Sequence, residues 1–347
     1  MVEETNPELD SLDCRMLNEL HLDGRQPASH LASKLGISRT SACQRLRRLL
    51  DGKVVRIGAL TNALALGYNA LAVTGIQVAH GELCAVADRL CAFPNVIAVI
   101  IAAGWQDIII WSLFPDQSDL YGFTTRELGG VSGIKSTETI MIVEWRHTSP
   151  YLFSQWQRFQ PHSHSSHLGN SGQERSVTFA QQRDQGRDLR VDQLDLLILR
   201  EMERDARQPV SHLAKRLGIS RVNASMRLNR LLDHEITRIA AFTSSPGPGC
   251  QISAMIGMKV SPKEIDAVLD RVETLPRVDW VAKVLGRYDV LVGTIFLSPL
   301  DLTHLLGKEL DTIPGVLSTE TIIGLEVMKT SFGYLASSYL ERIEKYQ

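Results

Sequence analysis

Several features are scarce in this chain of 347 residues, and each scarcity removes a class of protein. Its five cysteines (Cys14, Cys43, Cys84, Cys91 and Cys250) are an odd number with no CxxC pair. Neither a disulfide framework nor a structural zinc site fits that pattern, and no metal is expected. Long apolar runs are missing too: residues 96–103 and 107–114 are too short to span a bilayer, so no membrane partner is expected. The start, MVEETNPELD, is acidic and has no apolar core, which predicts no signal peptide and a cytoplasmic protein. An excess of one charge is also absent. With 37 Lys and Arg against 39 Asp and Glu the net charge is −2, so contact with nucleic acid must come from local basic patches. No Ser/His/Asp set, paired-carboxylate motif or Walker loop stands out, so neither an enzyme nor a cofactor is expected. What is present, 44% hydrophobic and 22% charged residues, suits an ordinary globular protein.

The chain repeats itself at an offset of 182 residues. LDSLDCRMLNEL returns as VDQLDLLILREM, RQPASHLASKLGISR as RQPVSHLAKRLGISR, and STETI at 136–140 as STETI at 318–322. One register held across this distance means that a whole unit is duplicated. Between the copies, residues 154–190 are rich in Gln, Ser, His and Arg and read as a linker that cannot bury enough apolar surface to order itself. Its His162, His164 and His167 have no acidic or Cys neighbours, which favours a solvated tract over a metal site.

Each copy opens with three helical segments. Leu12, Met16, Leu17 and Leu20 recur at helical spacing; a second helix spans 27–35 with Leu31, Ala32 and Leu35 inward. Gly36 suits its left-handed end, and Ser38 caps a third helix over 39–50. This is a helix-turn-helix pattern. In the third helix Ala42, Leu46 and Leu49 form the buried stripe, leaving Arg39, Ser41, Gln44, Arg45 and Arg48 on outward or flanking faces. In copy two Ala224, Leu228 and Leu231 are buried, while Arg221, Asn223, Ser225, Arg227 and Arg230 face out behind Ser220. Arg, Asn and Gln make paired hydrogen bonds to guanine and adenine edges, and Ser and further Arg suit phosphates. An Arg-rich face can also simply be solvated; its recurrence after a Gly turn and a Ser cap favours double-stranded DNA as partner. DGKVVRIGAL and DHEITRIAAF read as a wing or connecting strand, where Arg56 and Arg238 either touch the DNA backbone or pair with an acid.

The rest of each copy alternates as strand, helix, strand, strand, helix, strand. In copy one these are 71–78, 82–93, 96–102, 108–113, 118–128 and 134–144; copy two repeats the order over 252–327. This βαββαβ order is ferredoxin-like, and a single such sheet exposes one face, so pairing of sheets is expected. The fold class is therefore α+β, with tandem winged-helix-like helix-turn-helix domains each followed by a ferredoxin-like domain. The expected boundaries are 9–62, 67–150, the linker 154–190, 191–244, 250–334 and a C-terminal helix at 335–347.

LASKLGISRTSACQRLRRLLDGKVVRIGAL followed by this α/β domain resembles the Lrp/AsnC (feast/famine) family of regulators, over nearly the whole chain and twice. The resemblance implies that the α/β domains drive homo-oligomerisation and bind an amino acid or related small-molecule effector. A family-like octamer of units would need four chains. The family's Gly-x-Tyr-Asp turn is complete as Gly286, Arg287, Tyr288 and Asp289, whereas copy one has Gly104, Trp105, Gln106 and Asp107 and lacks the Tyr. Asp107 and Asp289 either hold an effector ammonium or anchor their turns. Thr137, Thr139, Thr319 and Thr321 on the last strands are effector contacts or ordinary strand residues.

These readings predict a sequence-specific regulator whose operator is an imperfect palindrome, because Thr40, Ser41, Gln44 and Arg47 differ from Val222, Asn223, Met226 and Asn229. The rival is an enzyme: siroheme decarboxylases resemble this family in layout. Their anionic tetrapyrrole calls for cations, and Arg146, His147 and Tyr151 are the available set; copy two has Met328 and Lys329 in place of the first two.

Overall fold

The computed structural model describes residues 9–52, 54–63, 65–147, 177–178, 191–242, 252–275, 278–296, 298–330, 336, 337 and 340. Most of the linker, its three histidines and most of the expected C-terminal helix lie outside the described residues. The chain forms two compact units, and each draws on both repeats. One gathers the helix-turn-helix segments (described residues 9–61 and 192–242), the other the α/β segments.

In the first unit, copy one supplies α1 (Ser11–Leu22), α2 (Ala28–Leu35), α3 (Arg39–Asp51) and β1 (Arg56–Thr61). The predicted stripes are buried at Met16, Leu17, Leu20, Leu31, Ala32, Leu35, Ala42, Leu46 and Leu49, and Leu12 is half-buried. Gly36 takes φ 69°, a left-handed position where a Cβ is strained, and Gly218 does the same at φ 66°. Copy two follows with α6 (Gln193–Arg204), α7 (Val210–Leu217), α8 (Arg221–Asp233) and β7 (Thr237–Phe242). Of the wing and the connecting strand read at this point, the strand forms, and it does not pair within its own copy. β1 and β7 pair with each other, antiparallel, Arg56 opposite Phe242 and Thr61 opposite Thr237.

Reciprocal contacts complete this internal pairing. Gly24 N–H donates to Ile239 O (2.9 Å) and Ala206 N–H to Ile57 O (3.4 Å), partners related by the 182-residue offset. Arg25 Nε donates to Ala206 O (2.8 Å), and Arg207 Nη2 to Gln26 O (2.5 Å). A Cβ on Gly24 would sit 2.7 Å from Ile57, so the close approach requires the missing side chain. The two helix-turn-helix modules are thus paired within one chain.

The second unit contains β2 (Ala70–Val78), α4 (Leu83–Cys91), β3 (Val96–Ala103), β4 (Ile108–Phe114), α5 (Gln117–Gly122), β5 (Ile134–His147) and β6 (Val177–Thr178). Copy two adds β8 (Ile252–Val260), α9 (Ile265–Glu273), β9 (Val278–Leu285), β10 (Val290–Phe296), α10 (Pro299–His304) and β11 (Val316–Thr330). A π-helical turn extends α5 and another extends α10.

The sheets do pair, but by their edges. The order is β2-β4-β3-β11-β8-β10-β9-β5, and β5 also pairs with β2, closing a ring of eight antiparallel strands. Two long strands make this possible. β5 pairs through 134–142 with β2 and through 141–147 with β9; β11 pairs with β8 and then with β3. Inside the expected linker, Val177 and Thr178 pair with Trp145 and Glu144 of β5.

On one face of each half-sheet a core packs with that copy's helices, around Ile76, Val86, Leu90 and Phe123 in copy one and Ile256, Val268, Val272 and Phe296 in copy two. The opposite faces carry Trp111, Trp145 and Trp280. Trp145 stacks on Trp280 at 4.5 Å between centroids, and Trp111 meets both edge-on at 5.2 Å. The exposed face expected of a lone ferredoxin-like sheet is thereby buried within the chain.

Candidate functional site

The third helix of each copy starts identically. Ser38 Oγ accepts from Ser41 N–H and Ser220 Oγ from Asn223 N–H, both at 3.1 Å. Arg39, Thr40, Gln44 and Arg47 of α3 are exposed, as are Arg221, Val222, Met226 and Asn229 of α8; Ser41, Asn223 and Ser225 are half-buried.

Four of the expected DNA contacts are also paired with acids of their own copy. Arg45 Nη1 reaches Asp10 (2.6 Å) and Asp13 (2.8 Å), and Arg48 Nη2 pairs with Asp13. Arg227 reaches Asp192 (2.7 Å) and Asp195 (2.8 Å), and Arg230 pairs with Asp195. Asp13 and Asp195 are fully buried. A buried carboxylate needs compensating charge, so these arginines clamp the third helix on the first, Arg45 and Arg227 half-buried and Arg48 still exposed.

The same acids build reciprocal caps. Asp13 N–H donates to Asp10 and Asp10 N–H to Asp13, and Asp192 with Asp195 repeats the pattern. Burial opposes ionisation of Asp10, but the Asp13 N–H and the Arg45 guanidinium outweigh it and hold its carboxyl below the usual carboxylate range. Asp192 follows suit with the Asp195 N–H and Arg227. The recurring Asp-x-x-Asp across the start of each first helix was the sequence signal for this clamp.

In the α/β unit the two Gly-containing turns approach the last strand of the opposite copy. A Cβ on Gly104 would lie 2.8 Å from Thr321 O, and one on Gly286 3.3 Å from Thr139 O. Each turn's Asp ties down a neighbouring strand: Asp107 Oδ2 accepts from Val78 N–H (2.8 Å), and Asp289 Oδ2 from Val260 N–H (3.0 Å). Of the two roles open for these aspartates, the geometry favours the turn anchor.

Of the two roles open for the threonines, the register favours ordinary strand residues. Thr137 and Thr139 lie opposite Ile76 and Thr74, and Thr319 and Thr321 opposite Met258 and Ile256. Ile76, Met258 and Ile256 belong to the helix-side cores, so alternation puts these threonines on the helix side. Thr139 Oγ1 is hydrogen-bonded to Thr74 at 3.0 Å.

The residues between the threonines, Glu138 and Glu320, face the turns instead. Glu320 accepts from the Tyr288 hydroxyl (2.6 Å) and from Arg287 Nη2 (2.9 Å), while Glu138 lies 3.7 Å from Arg287 Nη1. Burial, then Glu320, pushes the Tyr288 phenol's pKa well up; the Tyr288 hydroxyl leads in holding that of Glu320 down. Trp105, the counterpart of Arg287, stacks under that guanidinium at 5.2 Å and meets Tyr288 edge-on. Gln106, standing where copy two has Tyr288, is buried, and its Oε1 has no hydrogen-bond partner.

Of the rival's cations, Arg146 and Lys329 have partners, and the His147 side chain lies outside the described residues. Arg146 is held by Glu144 (2.7 Å), Asp270 (2.6 Å) and Glu273 (3.2 Å). Lys329 Nζ donates to Cys91 O (3.0 Å) and Phe93 O (2.9 Å). Tyr151 lies outside the described residues. Among the described residues no helix is long and apolar enough to cross a membrane, and no cluster of three His, Cys, Asp or Glu is placed to hold a metal.

Known proteins match the same segments. The AsnC-type helix-turn-helix domain matches residues 9–50 and 191–232, and the Lrp/AsnC ligand binding domain matches residues 71–149 and 253–334. An HTH-type transcriptional regulator of Pyrococcus furiosus is 33% identical over 135 residues, 39% of this chain and 91% of its own length. The leucine-responsive regulatory protein of Rhizobium meliloti is 30% identical over 140 residues, 39% of this chain and 90% of its own. The crystal structure of the siroheme decarboxylase NirDL covers 96% of this chain and 100% of its own, with a TM-score of 0.62 at 15% identity, a likeness of fold alone. With two AsnC-type helix-turn-helix domains and two Lrp/AsnC ligand binding domains in one polypeptide, this chain belongs to the Lrp/AsnC family of helix-turn-helix regulators.

Proposed function

We propose that the protein is a cytoplasmic, sequence-specific DNA-binding regulator in which a single chain supplies both halves of the operator-reading pair. The observation that carries this reading is the internal pairing of the two helix-turn-helix modules through β1 and β7, with each third helix clamped to its first helix by the same Asp–Arg cluster. A paired module spends no association entropy on dimerising before it meets DNA. Arg39, Gln44 and Arg47 on one side, and Arg221 and Asn229 on the other, are the proposed contacts, supported by Ser41, Asn223 and Ser225. Sequencing genomic fragments retained by the purified protein tests this. A shared imperfect palindrome that survives physiological salt supports it, and sequence-blind retention lost with salt overturns it.

The α/β unit, on this proposal, binds an amino acid-like effector and joins chains into a homo-oligomer. Its support is the family match of both α/β segments and the polar cluster of Arg287, Tyr288, Glu138 and Glu320. An effector bound by the folded state raises the unfolding temperature. A panel of the twenty amino acids at millimolar concentration that leaves it unmoved counts against this part. The tetrapyrrole enzyme reading fits less well, since Arg146 and Lys329 already have partners. Appearance of a Soret band on incubation with siroheme would reverse that judgement.

A further inference from the structure

We infer that Val222 and Met226 determine the specificity of the second recognition helix by packing on the C5-methyl groups of thymines in the major groove. The two half-sites of one operator would then be read by different chemistry. The inference rests on the DNA-regulator reading above and names what one of its two reading heads recognises.

The polar side chains of α8 are largely engaged internally. Arg227 and Arg230 are held by Asp192 and Asp195, and Asn223 Oδ1 accepts from Arg227 Nε at 3.2 Å. What projects outward, between the exposed Arg221 and Asn229, is an apolar pair one helical turn apart: Val222 is 78% exposed and Met226 64%. Folding does not call for them. Ala224, Leu228 and Leu231 already bury the inner stripe, and α3 adopts the same capped helix with Thr40 and Gln44 at the equivalent positions.

Exposing two large apolar side chains is unfavourable unless something covers them. They lie between the exposed Arg221 and Asn229, beside a cation suited to phosphates, in the unit whose other third helix exposes Arg39 and Arg47. On a base-pair edge in the major groove the apolar feature is the thymine methyl. Thr40, Gln44 and Arg47 carry donors and acceptors instead, and suit purine edges.

The test begins with an operator selected from a randomised duplex library by the full chain. Thymines are then replaced by deoxyuridine one at a time, which removes only the methyl. Each methyl contacted is worth about 0.8 kcal/mol, or about fourfold in affinity. A loss of that size is expected at one or two positions in one half-site. It should vanish in Val222→Thr/Met226→Gln, and Thr40→Val/Gln44→Met should confer a comparable penalty on the other half-site. Operator binding without any uracil penalty, or a penalty that the first double variant keeps, overturns the inference while leaving the regulator reading intact. An apolar pair that serves a protein partner would give that same outcome. Failure of the library to yield any preferred sequence removes the regulator reading and this inference with it.

Discussion

The buried carboxylate of Asp13 lies 2.8 Å from the guanidinium of Arg45, and 182 residues later Asp195 stands at the same distance from Arg227. Each of these aspartates also accepts the N–H of the preceding cap residue, so one side chain fixes both the start of the first helix and the seat of the third. The reading helix is positioned by an ion cluster as well as by its apolar stripe.

Asp13→Asn and Asp195→Asn should each destabilise the helix-turn-helix unit by about 2 kcal/mol, the scale of hydrogen bonds to charged groups. The second repeats the geometry of the first, so the two losses should be alike. Chemical denaturation followed by circular dichroism measures them, and unchanged midpoints would mean that the clamp adds no stability.

Arg39→Ala and Arg221→Ala should leave stability within about 0.5 kcal/mol, as expected of exposed positions. Each should weaken DNA binding and lower the slope of log affinity against log salt by about one, the signature of a lost phosphate contact. Arg45→Ala should show up mainly in stability. Fluorescence anisotropy titrations at several salt concentrations separate the two behaviours.

Acid should loosen the helix-turn-helix unit. Asp10 and Asp192 have lowered pKa values in the folded chain. A group of this kind contributes stability above its unfolded pKa, about 3.9, and loses it as pH falls through the lower folded value. Urea midpoints should therefore drop between pH 5 and pH 2, and drop less in Asp10→Asn/Asp192→Asn. A variant that tracks the parent across that range would mean that Asp10 and Asp192 contribute nothing to the acid transition.

Gly293→Ala should destabilise the α/β unit by about 3 kcal/mol or more, since the added Cβ would lie 2.0 Å from the Trp280 ring. Trp280 is held between Trp145 and Trp111, so the ring has little room to retreat. Thermal unfolding gives the magnitude, and a change in tryptophan fluorescence would localise the strain. Preserved stability and fluorescence would mean that the cluster is loosely packed.

By itself the sequence determined the local structure. Leucine spacing, the Gly36 and Gly218 turns and the Ser38 and Ser220 caps act within a few residues, so the six helices of the reading modules could be placed from the chain alone. Strand alternation likewise placed both βαββαβ orders, and the repeated motifs pointed to the family. Partnership was decided by tertiary structure. Nothing local says that β1 pairs with β7, or that β5 and β11 are long enough to serve two half-sheets each and close the ring.

The same limit explains what the sequence left open at the site residues. Arg45, Arg48, Arg227 and Arg230 read as outward or flanking because helical periodicity ranks faces, whereas the buried charge that pairs with them sits 32 to 35 residues away in sequence. Thr137 and Thr139 differ from Glu138 by a single step, and in a strand one step turns the side chain to the opposite face. Which face meets the turn of the other copy depends on the ring closing, and that closure exists only in the folded chain.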